Sequence, residues 1–171
     1  MTAASPSAAV QAWLDDFGSA LARGDFASAA SMFGDDSYWR DLVSFTWNLK
    51  TAEGRDQIRE MLAATAPSTK PANWKLQGEG SEAGGVTEGW FTFETGTSRG
   101  KGLLRLIGGK AWTLLTTIQE LKGFEEKKRE TRPMGVEHGV HPGRKSWLEE
   151  KEERARSLGY SEQPYALVLG G

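Results

Sequence analysis

The chain has no cysteine, which excludes disulfide staples, thiolate zinc sites and cysteine nucleophiles together. It also lacks a charge surplus. Its 21 basic and 23 acidic side chains leave a net charge of −2, whereas neutralising phosphates takes a basic excess, so no nucleic-acid partner is expected. No apolar run approaches the roughly 20 residues that a bilayer span takes, and residues 1–10 have neither a basic start nor an apolar stretch. No membrane partner is expected, and a cytoplasmic protein is the default. Histidine is scarce as well. His138 and His141 stand three apart, a spacing that on a helix would offer two imidazoles to a metal, but Gly135, Gly139, Pro142 and Gly143 break any helix there. No metal site is expected. A Gly-x-Ser-x-Gly elbow and a glycine loop followed by Lys-Ser/Thr are also missing, which removes the usual anchors of a hydrolase triad and of a nucleotide-phosphate cradle.

What is present suffices for one ordinary domain and an appendage. The chain has 171 residues, 38% of them apolar, with seven Trp and seven Phe to fill a core. Composition changes near residue 121. Residues 1–121 hold six of the seven Trp, with 11 basic against 14 acidic side chains, and read as the globular domain. About half of residues 122–156 are charged and few are large and apolar, too few to offset the entropy of ordering a separate core. Residues 122–160 therefore read as a charged linker. Within it Ser146-Trp147-Leu148-Glu149 is a capping box, opening a helix at about 146–158 with Glu150 and Glu152 four residues ahead of Arg154 and Arg156.

The periods within the first 121 residues change in order. Val10, Trp13, Leu14, Phe17 and Leu21 recur at three- and four-residue steps, an amphipathic helix that Gly24 ends. Asp25 starts a short second helix with Phe26, Ala29, Ala30 and Phe33 on one side, stopped at a Gly34-Asp35-Asp36 turn. A third helix at about 54–64 turns Ile58, Met61 and Leu62 inward. After Pro71 the period becomes two: strands are expected at 74–79, 86–95, 103–107 and 111–121, with Gly108-Gly109 as a two-residue hairpin turn. Helices followed by a meander imply an α+β fold with an antiparallel sheet.

Residues 38–49 alternate strictly, placing Trp39, Asp41, Val43, Phe45, Trp47 and Leu49 on one face of an expected strand. Asp41 is the odd member. Burial penalises a charged carboxyl, so an unpartnered Asp41 among Trp and Phe is a candidate acid or base. It equally suits a carboxylate that accepts backbone N–H bonds at a bulge or pairs with Arg40, Arg55 or Arg59.

The order of elements resembles the nuclear transport factor 2-like (SnoaL-like) fold, in which helices close one side of a cone of curved antiparallel sheet. The wording carries more. Tyr38-Trp39-Arg40-Asp41-Leu42, Thr46-Trp47-Asn48-Leu49-Lys50-Thr51, Lys110-Ala111-Trp112-Thr113-Leu114-Leu115 and Gln119-Glu120-Leu121-Lys122-Gly123 resemble the amino-terminal domain of flavin-containing monooxygenase-like oxidoreductases. Thr131-Arg132-Pro133-Met134-Gly135-Val136-Glu137-His138-Gly139 resembles the segment that joins that domain to the flavoprotein part. Gln163-Pro164-Tyr165-Ala166-Leu167-Val168-Leu169-Gly170-Gly171 then has the form of the first strand of a dinucleotide-binding unit, with Gly170 and Gly171 opening a truncated G-x-G-x-x-G loop.

The resemblance implies three segments: a SnoaL-like domain over 1–121, the linker over 122–160, and a truncated Rossmann strand over 161–171. It implies FAD and NAD(P)H for a longer parent enzyme, none bound to this fragment, and the missing flavoprotein part as partner. An alternative is a stand-alone pocket for a small apolar or aromatic ligand, lined by Trp39, Val43, Phe45, Trp47, Trp90, Phe93 and Trp112 with Asp41 as acid or base. A homodimer through an exposed sheet face around Trp90, Phe93 and Trp112 is the third possibility.

Overall fold

The computed structural model describes residues 5–132, 135, 142–158 and 160, which fall into two compact units divided between Glu126 and Lys127. In the first unit, α1 (Pro6–Ala22) begins where the Ser5 side chain accepts from the amide of Ala8 at 3.3 Å, with Pro6 in the first turn where its missing N–H costs nothing. Its buried side is the one the spacing predicts: Val10, Trp13, Leu14, Phe17 and Leu21. A short α2 (Phe26–Ser31) follows, capped by Asp25, which accepts from the Ser28 amide at 3.0 Å. Hydrogen bonding to Ser28 is the main reason the Asp25 carboxyl is held below the usual carboxylate range.

Seven strands make one mixed sheet: β1 (Phe33–Leu42), β2 (Leu49–Glu53), β3 (Ala72–Leu76), β4 (Ser81–Ala83), β5 (Val86–Glu94), β6 (Ser98–Ile107) and β7 (Lys110–Leu121). The order is β2-β1-β7-β6-β5-β3, with β4 pairing β5. Every pairing is antiparallel except β1 with β7, which is parallel. Between β2 and β3 the chain crosses through α3 (Gly54–Thr69), whose Ile58, Met61 and Leu62 are buried as expected. It runs five residues beyond the expected end, with Pro67 in its last turn and Lys70 closing it in the left-handed region at φ 50°. Gly108 and Gly109 both have positive φ, 56° and 76°, as the β6–β7 hairpin turn requires.

Other boundaries differ from the sequence reading as well: the strand expected at 74–79 is β3 at Ala72–Leu76, and β4 at Ser81–Ala83 has no counterpart in it. Gly34, Asp35 and Asp36 are not a turn: α2 ends at Ser31 and the three residues lie inside β1. β6 begins at Ser98 rather than residue 103, so Gly100 and Gly102 are strand residues. The alternating segment 38–49 is not one strand. Its first part belongs to β1, residues 43–48 form a connection, and Leu49 opens β2, which pairs back antiparallel to β1 with Leu42 opposite Leu49.

The inner face of the sheet is covered by α1 and α3, which pack on β3 and β1. Gly100 and Gly102 are required there. They sit opposite Phe93 and Phe91 in the β5–β6 register, and a Cβ on Gly102 would lie 2.3 Å from the Phe91 ring and 2.2 Å from the Leu115 carbonyl oxygen. The two rings thus lie across the neighbouring strand's backbone, a cross-strand aromatic–glycine arrangement.

In the second unit the described residues include a turn of 3-10 helix (Arg129–Thr131) and α4 (Trp147–Ser157). The capping box forms as expected, with the Ser146 amide donating to Glu149 at 2.7 Å and the Glu149 amide to Ser146 Oγ at 3.3 Å. Glu150–Arg154 and Glu152–Arg156 stand at 3.8 and 3.9 Å, and Lys145 pairs with Glu153. Trp147 and Leu148 are exposed. No helix among the described residues is long and apolar enough to cross a membrane.

Candidate functional site

The space between the helices and the inner face of the sheet is filled with aromatic rings. Phe17, Phe33, Trp39, Phe45, Phe91 and Phe93 are buried to within 2% of completely, with Trp13 and Trp74 close behind. Trp74 stacks on Phe93 at 4.9 Å between centroids, Phe45 stacks on Phe93 at 6.0 Å, and Trp39 meets Phe45 edge-on at 5.0 Å. Such pairs contribute about 0.5–1.5 kcal/mol each beyond the area they bury. An interior joined by a dozen of these contacts does not open through side-chain rotations alone.

One carboxyl group lies inside this aromatic shell. Asp41 is completely buried on β1, and the parallel register with β7 puts Thr116 beside it. The Thr116 hydroxyl donates to Asp41 Oδ1 at 2.9 Å and accepts from the Trp39 indole N–H at 2.9 Å. Oδ1 also accepts from the Ser44 amide at 3.1 Å, while Oδ2 accepts from the amides of Phe45 and Thr46 at 3.0 and 2.9 Å. The Thr46 hydroxyl stands 2.8 Å from Oδ2. Of the three arginines considered as partners, none reaches Asp41: Arg40 bonds Thr51, Arg55 pairs with Asp35, and Arg59 with Asp56. Asp41 therefore serves as an acceptor for the β1–β2 connection, the bulge-type arrangement that is one of its two sequence readings. This also explains why the alternation of residues 38–49 does not yield a strand. A side chain able to satisfy amides three to five residues ahead offers the backbone an alternative to the ladder, and the chain reverses around it.

The expected pocket set divides. Trp39, Phe45 and Phe93 come together around Asp41 as packed core, Val43 and Trp112 are half-buried, and Trp47 and Trp90 are 60% and 45% exposed. Trp90 is on the outer face, with Lys101 Nζ 4.5 Å from its ring centroid, and Phe93, expected on that same exposed face, points inward. Sequence reading misses Trp74, Phe91 and Thr116 as companions of Asp41. A local signal exists for Phe91 alone, in Gly102 opposite it in the β5–β6 register. Trp74 has a further peculiarity: its buried indole N–H has no hydrogen-bond partner.

Two clefts of the first unit open at its surface beside the aromatic core. One of about 280 Å³ lies between α1 and β3 beside Trp74, and another of about 450 Å³ is lined by Gln77, Thr92, Arg99 and Lys101. Neither includes Trp39, Asp41 or Phe45. Among the described residues no group of acidic or histidine side chains is placed to hold a metal. The described residues also do not fit a dinucleotide: the paired glycines 84–85 and 108–109 each join two antiparallel strands, and none opens a strand–loop–helix unit. Gly170, Gly171, His138 and His141 lie outside the described residues.

No family model matches the chain, and no curated protein matches it in sequence. Solved structures do resemble it. A domain of unknown function with a cystatin-like fold from Nostoc punctiforme superposes with a TM-score of 0.57 at 14% identity, over 69% of this chain and 80% of that one. A point variant of Rv3472, a protein of unknown function from Mycobacterium tuberculosis, gives 0.52 at 16% identity over 67% and 72%. The Orange Carotenoid Protein of Anabaena (Nostoc) sp. PCC 7120, in a structure binding canthaxanthin, gives 0.52 at 14% identity over 63% of this chain and 35% of that one. At these identities the likeness shows the fold alone: an α+β fold of the cystatin-like type, with helices on a curved, unclosed mixed sheet.

Proposed function

We propose that the first unit is a non-catalytic accessory module that works by binding protein, and that the body it serves is a flavin-dependent, NAD(P)H-using oxidoreductase. The observation that carries the first half is the filled cone. Asp41 held by the amides of its own loop, and Phe45, Trp74 and Phe93 packed against one another in the interior, support a role without catalysis. The second half is supported by the sequence resemblance around residues 38–51 and 131–139, which names FAD and NAD(P)H for the parent. On this reading none of the described residues takes a step of that chemistry, and the chain by itself is expected to be redox-inert.

The surface for protein contact is the outer face of the sheet. Trp90, Leu103 and Leu115 stand side by side across β5, β6 and β7 in register, bordered by the Arg105–Glu88 ion pair at 2.8 Å. A partly exposed apolar row framed by paired charges suits a protein partner better than a small molecule. The same row supports a second reading, a homodimer through this face.

Three measurements test these readings. An absorbance spectrum of the purified chain is expected to show no flavin band, and stoichiometric flavin would overturn the accessory reading. The coding sequence after the Gly171 codon is expected to continue into a Gly-x-x-Gly loop, and a stop codon there would remove the flavoenzyme half. Sedimentation of Leu103→Glu beside the parent chain decides the second reading: a dimer that the variant dissociates supports it, and a parent chain that sediments as a monomer ends it.

A further inference from the structure

Cross-strand register arranges the outer face of the sheet in rows. One runs Trp90, Leu103, Leu115, Arg40 and Thr51 across β5, β6, β7, β1 and β2, and the next runs Lys75, Thr92, Lys101, Thr117, Leu42 and Leu49 from β3 to β2. Together these two central rows hold five large apolar side chains, three cations and no acid. In the bordering rows the acids of β5 and β7 are each matched: Glu88 with Arg105 at 2.8 Å, Glu94 with Lys122 at 2.9 Å and Glu120 with Arg99 at 2.8 Å.

The cations of the central rows are not matched. Arg40 bonds the Thr51 hydroxyl, Lys101 lies over the Trp90 ring, and among the described residues no carboxylate reaches Arg40, Lys75 or Lys101. This runs against the sign of the surrounding chain, since residues 1–121 carry 11 basic and 14 acidic side chains. The face is also recessed beside Lys101. The cleft of about 450 Å³ there is lined by Gln77 and Thr92 as well, and among the described residues neither of these side chains has a hydrogen-bond partner. A carboxylate accepts from an ammonium, a hydroxyl and an amide alike.

We infer that the partner of this face is a protein segment that carries acidic side chains among large apolar ones. Its apolar groups cover Trp90, Leu103 and Leu115, and its carboxylates meet Arg40, Lys75 and Lys101, one of them entering the cleft. The inference rests on the protein-binding reading above and names the chemistry of the partner. Covering the three cations with neutral atoms takes away their water and returns nothing, so the complementary surface is acidic. A second copy does not supply it. A two-fold contact sets one patch against itself, which here brings cations against cations. An extended polyanion fits no better, because Glu88 on one side of the central rows and Glu94 and Glu120 on the other repel a run of phosphates longer than the cationic strip.

The test is a titration of the full chain with three synthetic hexapeptides, read by NMR at the backbone amides of Trp90, Thr92, Lys101 and Leu103. The peptides share two Leu and a Trp and differ at the remaining positions, which are all Glu, all Gln or all Lys. The Glu peptide is expected to bind about tenfold more tightly than the Gln peptide, and the Lys peptide to leave these amides unmoved. Raising salt from about 50 to about 500 mM is expected to remove most of that advantage. Lys101→Gln, an exposed-face change, is expected to weaken the Glu peptide about threefold and to leave the Gln peptide as it was. Equal affinity for the Glu and Gln peptides would overturn the acidic partner and leave protein contact at this face standing. Inorganic polyphosphate that moves the same amides as tightly as the Glu peptide would overturn the choice of a protein partner. No response to any peptide would overturn the inference and the protein-binding reading together, and a chain that also sediments as a dimer would then assign the face to a second copy.

Discussion

The two faces of the same sheet are built on opposite rules. On the inner face each residue is fixed by its neighbours: Phe91 and Phe93 need the missing side chains of Gly102 and Gly100, Trp39 needs Thr116 to accept its N–H, and Asp41 needs the backbone of its own loop. On the outer face the residues act in pairs that water surrounds, such as Arg99 with Glu120 and Glu125 or Lys101 over Trp90. Interior contacts are not screened and leave orphaned groups or clashes when cut, whereas exposed ion pairs are typically worth well under about 1 kcal/mol. The larger part of the unit's stability therefore comes from the inner side of the sheet.

Asp41→Ala breaks that comparison hardest. It strands the Ser44 and Phe45 amides in the core without an acceptor and frees the loop that carries Phe45. A loss of about 3–5 kcal/mol is expected, read as a fall of more than about 10 °C in the unfolding midpoint. A change below about 1 kcal/mol would mean that the loop is held by Phe45 alone. A sharper contrast comes from adjacent residues on opposite faces. Gly102→Ala drives a Cβ into the Leu115 carbonyl and the Phe91 ring, for an expected cost of about 1–3 kcal/mol. Lys101→Ala, one position away, removes only a cation–π contact with an exposed Trp and is expected to cost about 0.5 kcal/mol or a little more. Equal effects in a denaturant titration would erase the distinction between the faces.

How much of this the sequence displays depends on how far apart the partners are. The buried stripe of α1, the Gly108-Gly109 turn and the α4 capping box are local patterns, and all three read directly. The start of β1 does not, because Phe33 keeps helical spacing from Ala29 and Ala30 while also serving as an inward strand residue. Residues 43, 45, 47 and 49 continue a period-two pattern through a segment that is a loop, and only the ability of Asp41 to bond amides ahead of it distinguishes the two. The site itself combines Trp39 and Asp41 with Trp74, Phe93 and Thr116, brought together by the β1–β7 parallel pairing and the crossover through α3. A single sequence carries the inward direction of each of these residues but not their meeting. It likewise gives Gly100 and Gly102 the look of a turn, because the rings that require them belong to another strand.

The smallest expected effect lies on the outer face and depends on pH. The Glu94 carboxyl is held below the usual carboxylate range, first by the hydrogen bond and charge of Lys122 at 2.9 Å, then by Asn73 and Arg99. A carboxyl whose folded pKa lies below its unfolded one adds stability that is complete above the unfolded value and is lost as pH falls through the folded value. Glu94→Gln is therefore expected to lower the unfolding midpoint slightly at neutral pH, with the gap to the parent closing as acid protonates Glu94 in both states and narrowing at neutral pH when salt screens the pair. A gap that persists in acid would mean that the residue acts through packing, as inner-face residues do, and that the division between the two faces is less clean at the β5 edge than elsewhere in the sheet.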